Sequence, residues 1–551
     1  MKRNIGLRKA ALFGLICASV VFCNMSNTKQ ANASTVNPVS TPAVTSGTQS
    51  EKSSNLYPIH VVKDGNDLYG YIDETGSVVI KPSYAGAGNF SEGLAVVNKD
   101  ETFLVINTKG KVILRSKNYI NDFHNGLASF SDSKTYNYGY INKEGKVVLK
   151  AAYNFAGNFG KDHTAIVSKS GKYYRINSKG KILNTYSLPT KNAYYDMTDD
   201  GYAIYNSTST FLKGVKDING KTILKTNYSE ITYLGNGLFG VKKKLAADEG
   251  YLVSVKPSAI FDKSGKQLTP FKYYDLSGYN NNYASFTDSK YTYLIDKKGN
   301  VLSSFPKQEG RGTLTVLGDV VQADIDNKIS YFKMDGTSVW KNAETTALPS
   351  GITVQSVKVK PNKYVVVYYP KLEGLADTSV QKIINNKLER LFTADRMKLT
   401  LKDNLMVDDN FSVEQIKDLL IIRKTGYDDY FGSAHGTPLL FYYFIDTKTG
   451  TFYQFKDLFK KDSKYIKTLD NIARKQMKEQ EKKDGMSYNN VDGTYVTEKQ
   501  FFYLSKDTLT LYFDSGAIAP YAAGFPQFNI PFSDIDNLIN KDGAFWKSFQ
   551  E

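Results

Sequence analysis

The chain has 551 residues, a hydrophobic share of 41%, two cysteines and a formal charge of +16. That length can bury one core or several. Both cysteines, Cys17 and Cys23, precede residue 34, so the rest of the chain excludes disulfides, thiolate metal sites and a cysteine nucleophile.

Lys2, Arg3, Arg8 and Lys9 precede an apolar run from Ala10 to Cys23, and Ala31-Asn32-Ala33 offers a small-residue cleavage site. This is the pattern of a signal peptide over 1–33, with Ser34 as the mature N-terminus. The run is shorter than the roughly 20 apolar residues of a membrane-spanning helix; an uncleaved anchor is the alternative. Phe22 and Ile16 precede the two cysteines, which fits a lipoprotein poorly. No later segment is apolar enough to span a bilayer, so no stable transmembrane anchor is expected. The protein is expected to be secreted or extracellular, with wall association of the Gram-positive type. Removing Lys2, Arg3, Arg8, Lys9 and Lys29 leaves +11 of the +16. A basic exported surface favours polyanions such as wall teichoic acid, or is simply a soluble, lysine-rich surface. Nucleic acid is disfavoured by the export signal and by the lack of a dense Lys/Arg stripe. Residues 34–56 open with a Ser/Thr/Pro-rich stretch poor in large apolar residues, which predicts a disordered linker.

From 57 to 345 the chain repeats. An Asp/Asn-x-x-Gly turn precedes an apolar strand in IDETGSVVI, INTKGKVIL, INKEGKVVL, INSKGKIL, KDINGKTIL, FDKSGKQL and IDKKGNVL, with glycines at 76, 110, 145, 180, 220, 265 and 299. Gly336 closes a degenerate eighth unit. Spacings of 34 to 45 residues signal a repeat architecture. The acidic or amide side chain bonds the backbone ahead, and glycine supplies the positive φ. Each unit is a small sheet of about three strands that cannot bury its own face, so neighbours must stack. A propeller-like ring is predicted, with an open β-solenoid as the alternative.

The segment YGYIDETGSVVIKPSYAGAGNFSEGLAVV (69–97) and, after it, YGYINKEGKVVLKAAYNFAGNF (138–159) resemble the bacterial WG-repeat family. Its Trp-Gly stands here as Tyr69-Gly70 and Tyr138-Gly139. Later units are expected to lose that glycine. The resemblance implies a binding or scaffolding array without chemistry. Its aromatics, Tyr69, Tyr84, Phe90, Tyr138, Tyr153 and Phe159, are assigned to packing between repeats rather than to a ligand surface.

Residues 346–551 change pattern. One strand is predicted over 357–374. Val380, Ile383, Ile384, Leu388, Leu391 and Phe392 then recur at helical spacing, with Asp377 or Thr378 as N-cap. Strands are predicted at 415–423, 438–446, 501–513 and 525–532, with a second helix over about 462–482 and a short final helix. Mixed order without regular alternation reads as α+β. The landmarks YYPKLEGLADTSVQKIINNKLERL, YFGSAHGTPLLFYYFIDTKTGTFYQFKDLF, LSKDTLTLYF and APYAAGFPQFNIPFSDI follow in order over about 180 residues. They resemble DUF4163/DUF3298-type domains of lysozyme-sensing anti-sigma factors and of the N-terminal region of peptidoglycan deacetylases. The resemblance implies recognition of a wall-associated partner, in one branch lysozyme. It carries over neither signalling nor deacetylation.

Four histidines remain: His60, His124, His163 and His435. In Gly432-Ser433-Ala434-His435-Gly436 a catalytic reading makes Ser433 a nucleophile and His435 its base. Two residues apart on one loop is poor geometry, and no G-x-S-x-G elbow exists; a tight turn is preferred. Asp73, Asp262 and Asp296 suggest calcium, yet each turn has about one acid and many lysines, so turn chemistry is preferred. No metal or other cofactor is expected. Ala519-Pro520-Tyr521-Ala522-Ala523-Gly524-Phe525-Pro526 is apolar but too rich in Pro and Gly for a central strand. Tyr521 or Phe525 either anchors a partner or folds back as a core lid. Pro520, Tyr521, Phe525, His435 and Ser433 are the candidate binding residues. The function expected is non-enzymatic, envelope-associated recognition of a protein such as lysozyme, or of cell-wall glycan or teichoic acid. A wall hydrolase, or an accessory subunit of one, is the alternative.

Overall fold

A computed structural model describes residues 55–63, 66–100, 102–186, 188, 193–246, 255–489 and 495–550. The signal peptide and nearly all of the linker expected from the sequence lie outside these residues. Among the described residues, no helix is long and apolar enough to cross a membrane.

Among the described residues, 57–341 forms seven antiparallel sheets in chain order. The strand Thr222–Gly235 runs through two units and joins them into one six-stranded sheet, so eight sequence repeats give seven sheets. The turns form as their chemistry requires. Asp73 Oδ1 accepts from the amides of Thr75 and Ser77, and Asn107, Asp217, Asp262 and Asp296 repeat the arrangement. All eight turn glycines, Gly336 included, have φ between 74° and 87°. The eighth turn differs: Lys333 opens it, and Asp335 accepts from the Thr337 amide.

The glycine of the Tyr-Gly pair has a separate cause. Tyr69 pairs with Tyr84 and Tyr71 with Ile80, so Gly70 alone faces a bulge of three residues. A Cβ there would sit 2.4 Å from the Ile80 carbonyl oxygen. Gly139 repeats this against Leu149. So does Gly214 of the fifth unit, against Leu224. The expected loss of this glycine after the third unit therefore does not hold for Lys213-Gly214.

Buried clusters bridge neighbouring units. Tyr71, Ile80, Ala95 and Leu104 join the first to the second, and Tyr140, Phe159 and Val167 join the third to the fourth. Tyr71 Oη donates to Gly88 O at 2.8 Å, and Tyr140 Oη donates to Gly157 O at 2.7 Å. Phe90 and Phe159 pack edge-on against those tyrosines, as the packing assignment expects. The two ends of the array also meet. Tyr57, Ile59 and Ile72 share a buried cluster with Val320 and Tyr331, and Tyr331 Oη donates to Pro58 O at 2.6 Å. Among the described residues, no ladder joins the first sheet to the last; the contact is side-chain packing, and the array is not a barrel.

The C-terminal domain is α+β. Its large sheet runs β1 (Thr345–Ala347), β2 (Thr353–Asn362), β3 (Val365–Glu373), β4 (Leu405–Ile416), β5 (Leu419–Tyr430), β6 (Thr437–Asp446) and β7 (Phe452–Tyr453), in that order. β3 and β4 are parallel and are connected through α1 (Thr378–Thr393). Asp377 caps α1, accepting from the amides of Ser379 and Val380. Ile384, Leu388 and Phe392 are buried against the sheet, each contributing about 2 kcal/mol. Ile383 is 56% exposed and Leu391 is exposed too, so the apolar face is narrower than the spacing suggested. Helix α2 (Tyr465–Asp484), a three-stranded sheet of β8 (Phe501–Leu504), β9 (Thr508–Tyr512) and β10 (Gln527–Pro531), and α3 (Ala544–Gln550) share a second core.

Three predicted strands are corrected. The segment 357–374 is a hairpin, turned where Asn362 accepts from the Tyr364 amide. The segment 415–423 straddles the turn at Lys417, whose φ is 54°. The segment 501–513 divides at Ser505–Asp507, where the Ser505 amide donates to Thr508 O.

The domain docks onto the last repeat through buried charge. Asp326, whose side chain is 0% exposed, pairs with Lys358 at 3.1 Å and Lys360 at 2.6 Å on β2. Its carbonyl accepts from Tyr368 Oη on β3, while Lys328 Nζ reaches Ser356 Oγ at 3.0 Å.

Candidate functional site

The candidate residues come from two distant segments that the fold brings together. One is the β5–β6 loop. Its glycines have steric causes: Gly432 has φ of 85°, and a Cβ on Gly436 would sit 2.5 Å from the Tyr427 ring. The Ser433 amide donates to Tyr430 O, and Ser433 Oγ lies 3.0 Å from both Asp429 Oδ1 and His435 O. The loop is therefore held by its own polar groups, with Ser433 and His435 exposed.

The other segment is a single 3-10 turn, Tyr521–Ala523, entered through Pro520. The Ala523 amide donates to Pro520 O, the Gly524 amide donates to Tyr521 O, and Ser515 Oγ donates to Tyr521 O. Gly524 exits at φ 65° and ψ −131°, which only glycine adopts without strain.

The two segments meet face to face. The rings of His435 and Tyr521 stack with centroids 4.0 Å apart and planes at 25°. Tyr521 Oη donates to the Gly436 carbonyl, whose amide donates to Tyr427 Oη at 3.0 Å. Burial, with Tyr427 beside it, raises the Tyr521 hydroxyl above the usual phenol range. Phe525 is half-buried, edge-on to Tyr512 at 6.4 Å. Tyr512 itself is buried and donates to Leu440 O. Phe525 thus leans on buried Tyr512, whereas Tyr521 lies over the loop; neither ring belongs to the domain's two core clusters.

This geometry provides an aromatic surface on two segments held by backbone hydrogen bonds. Ser433 Oγ is directed to Asp429 and the His435 carbonyl, and His435 Nδ1 lies 3.1 Å from Gly436 O. These partners orient the loop; they do not pair a nucleophile with a base. In the repeats, Asp73, Asp217, Asp262 and Asp296 each commit Oδ1 to two backbone amides. Among the described residues, no three His, Cys, Asp or Glu side chains are grouped to hold a metal ion. The Asp408 carboxyl is pushed up to about 6 by burial, against the lowering effects of Asn327 and Arg311. It sits at the junction with the last repeat, where packing accounts for it.

Sequence reasoning missed what supports this surface. Asp409, 0% exposed, binds Arg396 at 3.0 Å and Lys424 at 3.2 Å, and Arg396 also grips Asp428 at 2.8 Å. Gly426 opposes Asp409 in the β4–β5 register, and a Cβ there would meet Asp409 Oδ1 at 2.3 Å. Tyr427 follows directly. No local signal marks these partners, which lie 13 to 32 residues apart.

Family models match both parts of the chain. That described as "WG containing repeat" matches 69–103, 138–173, 214–244 and 260–287. That described as "Protein of unknown function (DUF3298)" matches 456–533. The chain joins WG repeats to a DUF3298 domain. The DUF3298 match includes Pro520, Tyr521 and Phe525 and stops short of His435. Anti-sigma-V factor RsiV of Bacillus subtilis (strain 168) is 29% identical over 198 residues, covering 33% of this chain and 67% of that protein. A DUF3298-family structure from Bacteroides fragilis is 18% identical, with a TM-score of 0.28, over 36% of this chain and 98% of its own. One from Pseudomonas aeruginosa is 15% identical, with a TM-score of 0.27, over 36% and 97%.

Proposed function

We propose that this is an exported, envelope-associated recognition protein that performs no catalysis. The DUF3298 domain is the binding module. Lysozyme is its most concrete protein partner and cell-wall glycan the other candidate. The observation that carries this reading is the His435–Tyr521 stack, an exposed imidazole backed by a half-buried phenol on two rigid loops. Aromatic anchors on rigid supports lose little entropy on binding. Similarity to part of an anti-sigma factor supports a binding role rather than an enzymatic one.

In this reading the WG repeats are a scaffold closed in the manner of a propeller. The cluster between Tyr57, Ile59, Val320 and Tyr331 supports closure, since an open solenoid leaves its ends apart. The test is capture: chain from Ser34 onward, immobilised, should retain lysozyme or sonicated wall glycan, and Tyr521→Ala should not. Retention of neither by the unaltered protein defeats the proposal for both partners.

A further inference from the structure

Helix α2 carries a row of lysines that the linear sequence disguises. Lys467, Lys475, Lys478 and Lys482 are all exposed, and their steps of three, four and eight residues bring them to one helix face. At 1.5 Å per residue the row is about 22 Å long. Asn471 fills its gap, and Arg474 flanks it, held by the buried Asp470 at 3.0 Å. Asn471, Arg474, Lys475, Lys478, Glu479 and Lys482 frame a shallow groove of about 460 Å³, with Glu479 its one acid. The expectation of no dense basic stripe is thereby corrected, because helical spacing assembles what the sequence scatters.

The row's orientation is fixed. Leu469, Ala473 and Met477 on the opposite face are buried in the core, and Gln476 donates to Asn529 O on β10 at 2.8 Å.

We propose that this face of α2 binds a linear phosphodiester polyanion lying along the helix axis. The charge is complementary, and the row is straight and spans several anionic repeats. Lysine ammonium groups engage phosphates as point charges without demanding one geometry. A bilayer surface fits less well: none of the exposed large apolar side chains among the described residues lies in α2, whereas interfacial helices insert such residues. The proposal rests on the envelope location in the reading above and not on the partner at Tyr521.

The test titrates the chain from Ser34 onward with labelled poly(glycerol phosphate), at low and at near-physiological salt. Saturable binding that weakens with salt is expected. Lys475→Glu/Lys478→Glu/Lys482→Glu should lose at least about ten-fold in affinity with only a small fall in melting temperature, since acids near a helix C-terminus oppose its dipole. Lys109→Glu/Lys179→Glu/Lys298→Glu, on exposed repeat turns, should bind as the unaltered protein does. The proposal is overturned if the unaltered protein does not bind, if the helix triple binds normally, or if the turn triple loses as much. Tighter binding to anionic vesicles or duplex DNA than to the polymer also overturns it. Polymer binding without lysozyme or glycan binding sinks the Tyr521 reading alone; the converse sinks only this one.

Discussion

The imidazole of His435 lies on the ring of Tyr521, centroids 4.0 Å apart, although one belongs to the β5–β6 loop and the other to the turn after β9. Tyr521→Ala removes a half-buried ring without opening the main core. It should cost about 2 kcal/mol of partner binding. Its effect on folding should stay near 1 kcal/mol, read as a small shift in melting temperature. A core lid would instead cost about 3 kcal/mol of stability. Tyr521→Phe separates the stack from the hydrogen bond to Gly436, and should lose only about 0.5 kcal/mol in chemical denaturation.

Asp326 ties the last repeat to β2 and β3 of the C-terminal domain. Asp326→Ala leaves the half-buried Lys360 and the exposed Lys358 without their carboxylate partner. The loss should be about 3 kcal/mol, seen calorimetrically as an earlier transition for one module. A single unshifted transition would show that Asp326 does not couple the two.

Asp408 gives a pH signature. Burial raises its carboxyl to about 6, above the ordinary value of about 3.9 for an unfolded Asp. Between those values the folded state holds the extra proton, so stability falls as pH rises and then levels off. Asp408→Asn should therefore stabilise by about 3 kcal/mol near pH 7.5 and by no more than about 0.5 kcal/mol near pH 4. Melting temperatures at both pH values check this; an equal shift at both would contradict it.

Gly139 and Gly126 separate two roles of glycine. A Cβ on Gly139 meets Leu149 O at 2.5 Å and Ala151 N at 2.8 Å, whereas Gly126, at φ +84°, has open space. Gly139→Ala should cost about 3 kcal/mol through backbone displacement. Gly126→Ala should cost about 1 kcal/mol through its dihedral alone. Urea denaturation midpoints distinguish the two.

What was legible in the sequence was local. Asp73 and Gly76 make a turn with bonds that span four residues, and Asp377 caps α1 from the adjacent position. The missed turns had weak local signals: Lys417 takes a positive φ despite its side chain, and Ser505–Asp507 interrupts an apolar run. The Lys358–Asp326 pair, the Arg396–Asp409–Asp428 network and the His435–Tyr521 contact depend on which strands become neighbours. No spacing in the chain encodes that. The lysine row on α2 lay between these cases, visible once positions 467 to 482 are placed on a helix.

The most direct test of the recognition claim is a calorimetric titration of lysozyme into the chain from Ser34 onward, run in parallel with Tyr521→Ala. Saturable binding by the unaltered protein is expected, with at least a thirty-fold loss, about 2 kcal/mol, in the variant. Equal affinity for both proteins would contradict the assignment of Tyr521, and no heat of binding to either would contradict lysozyme as the partner.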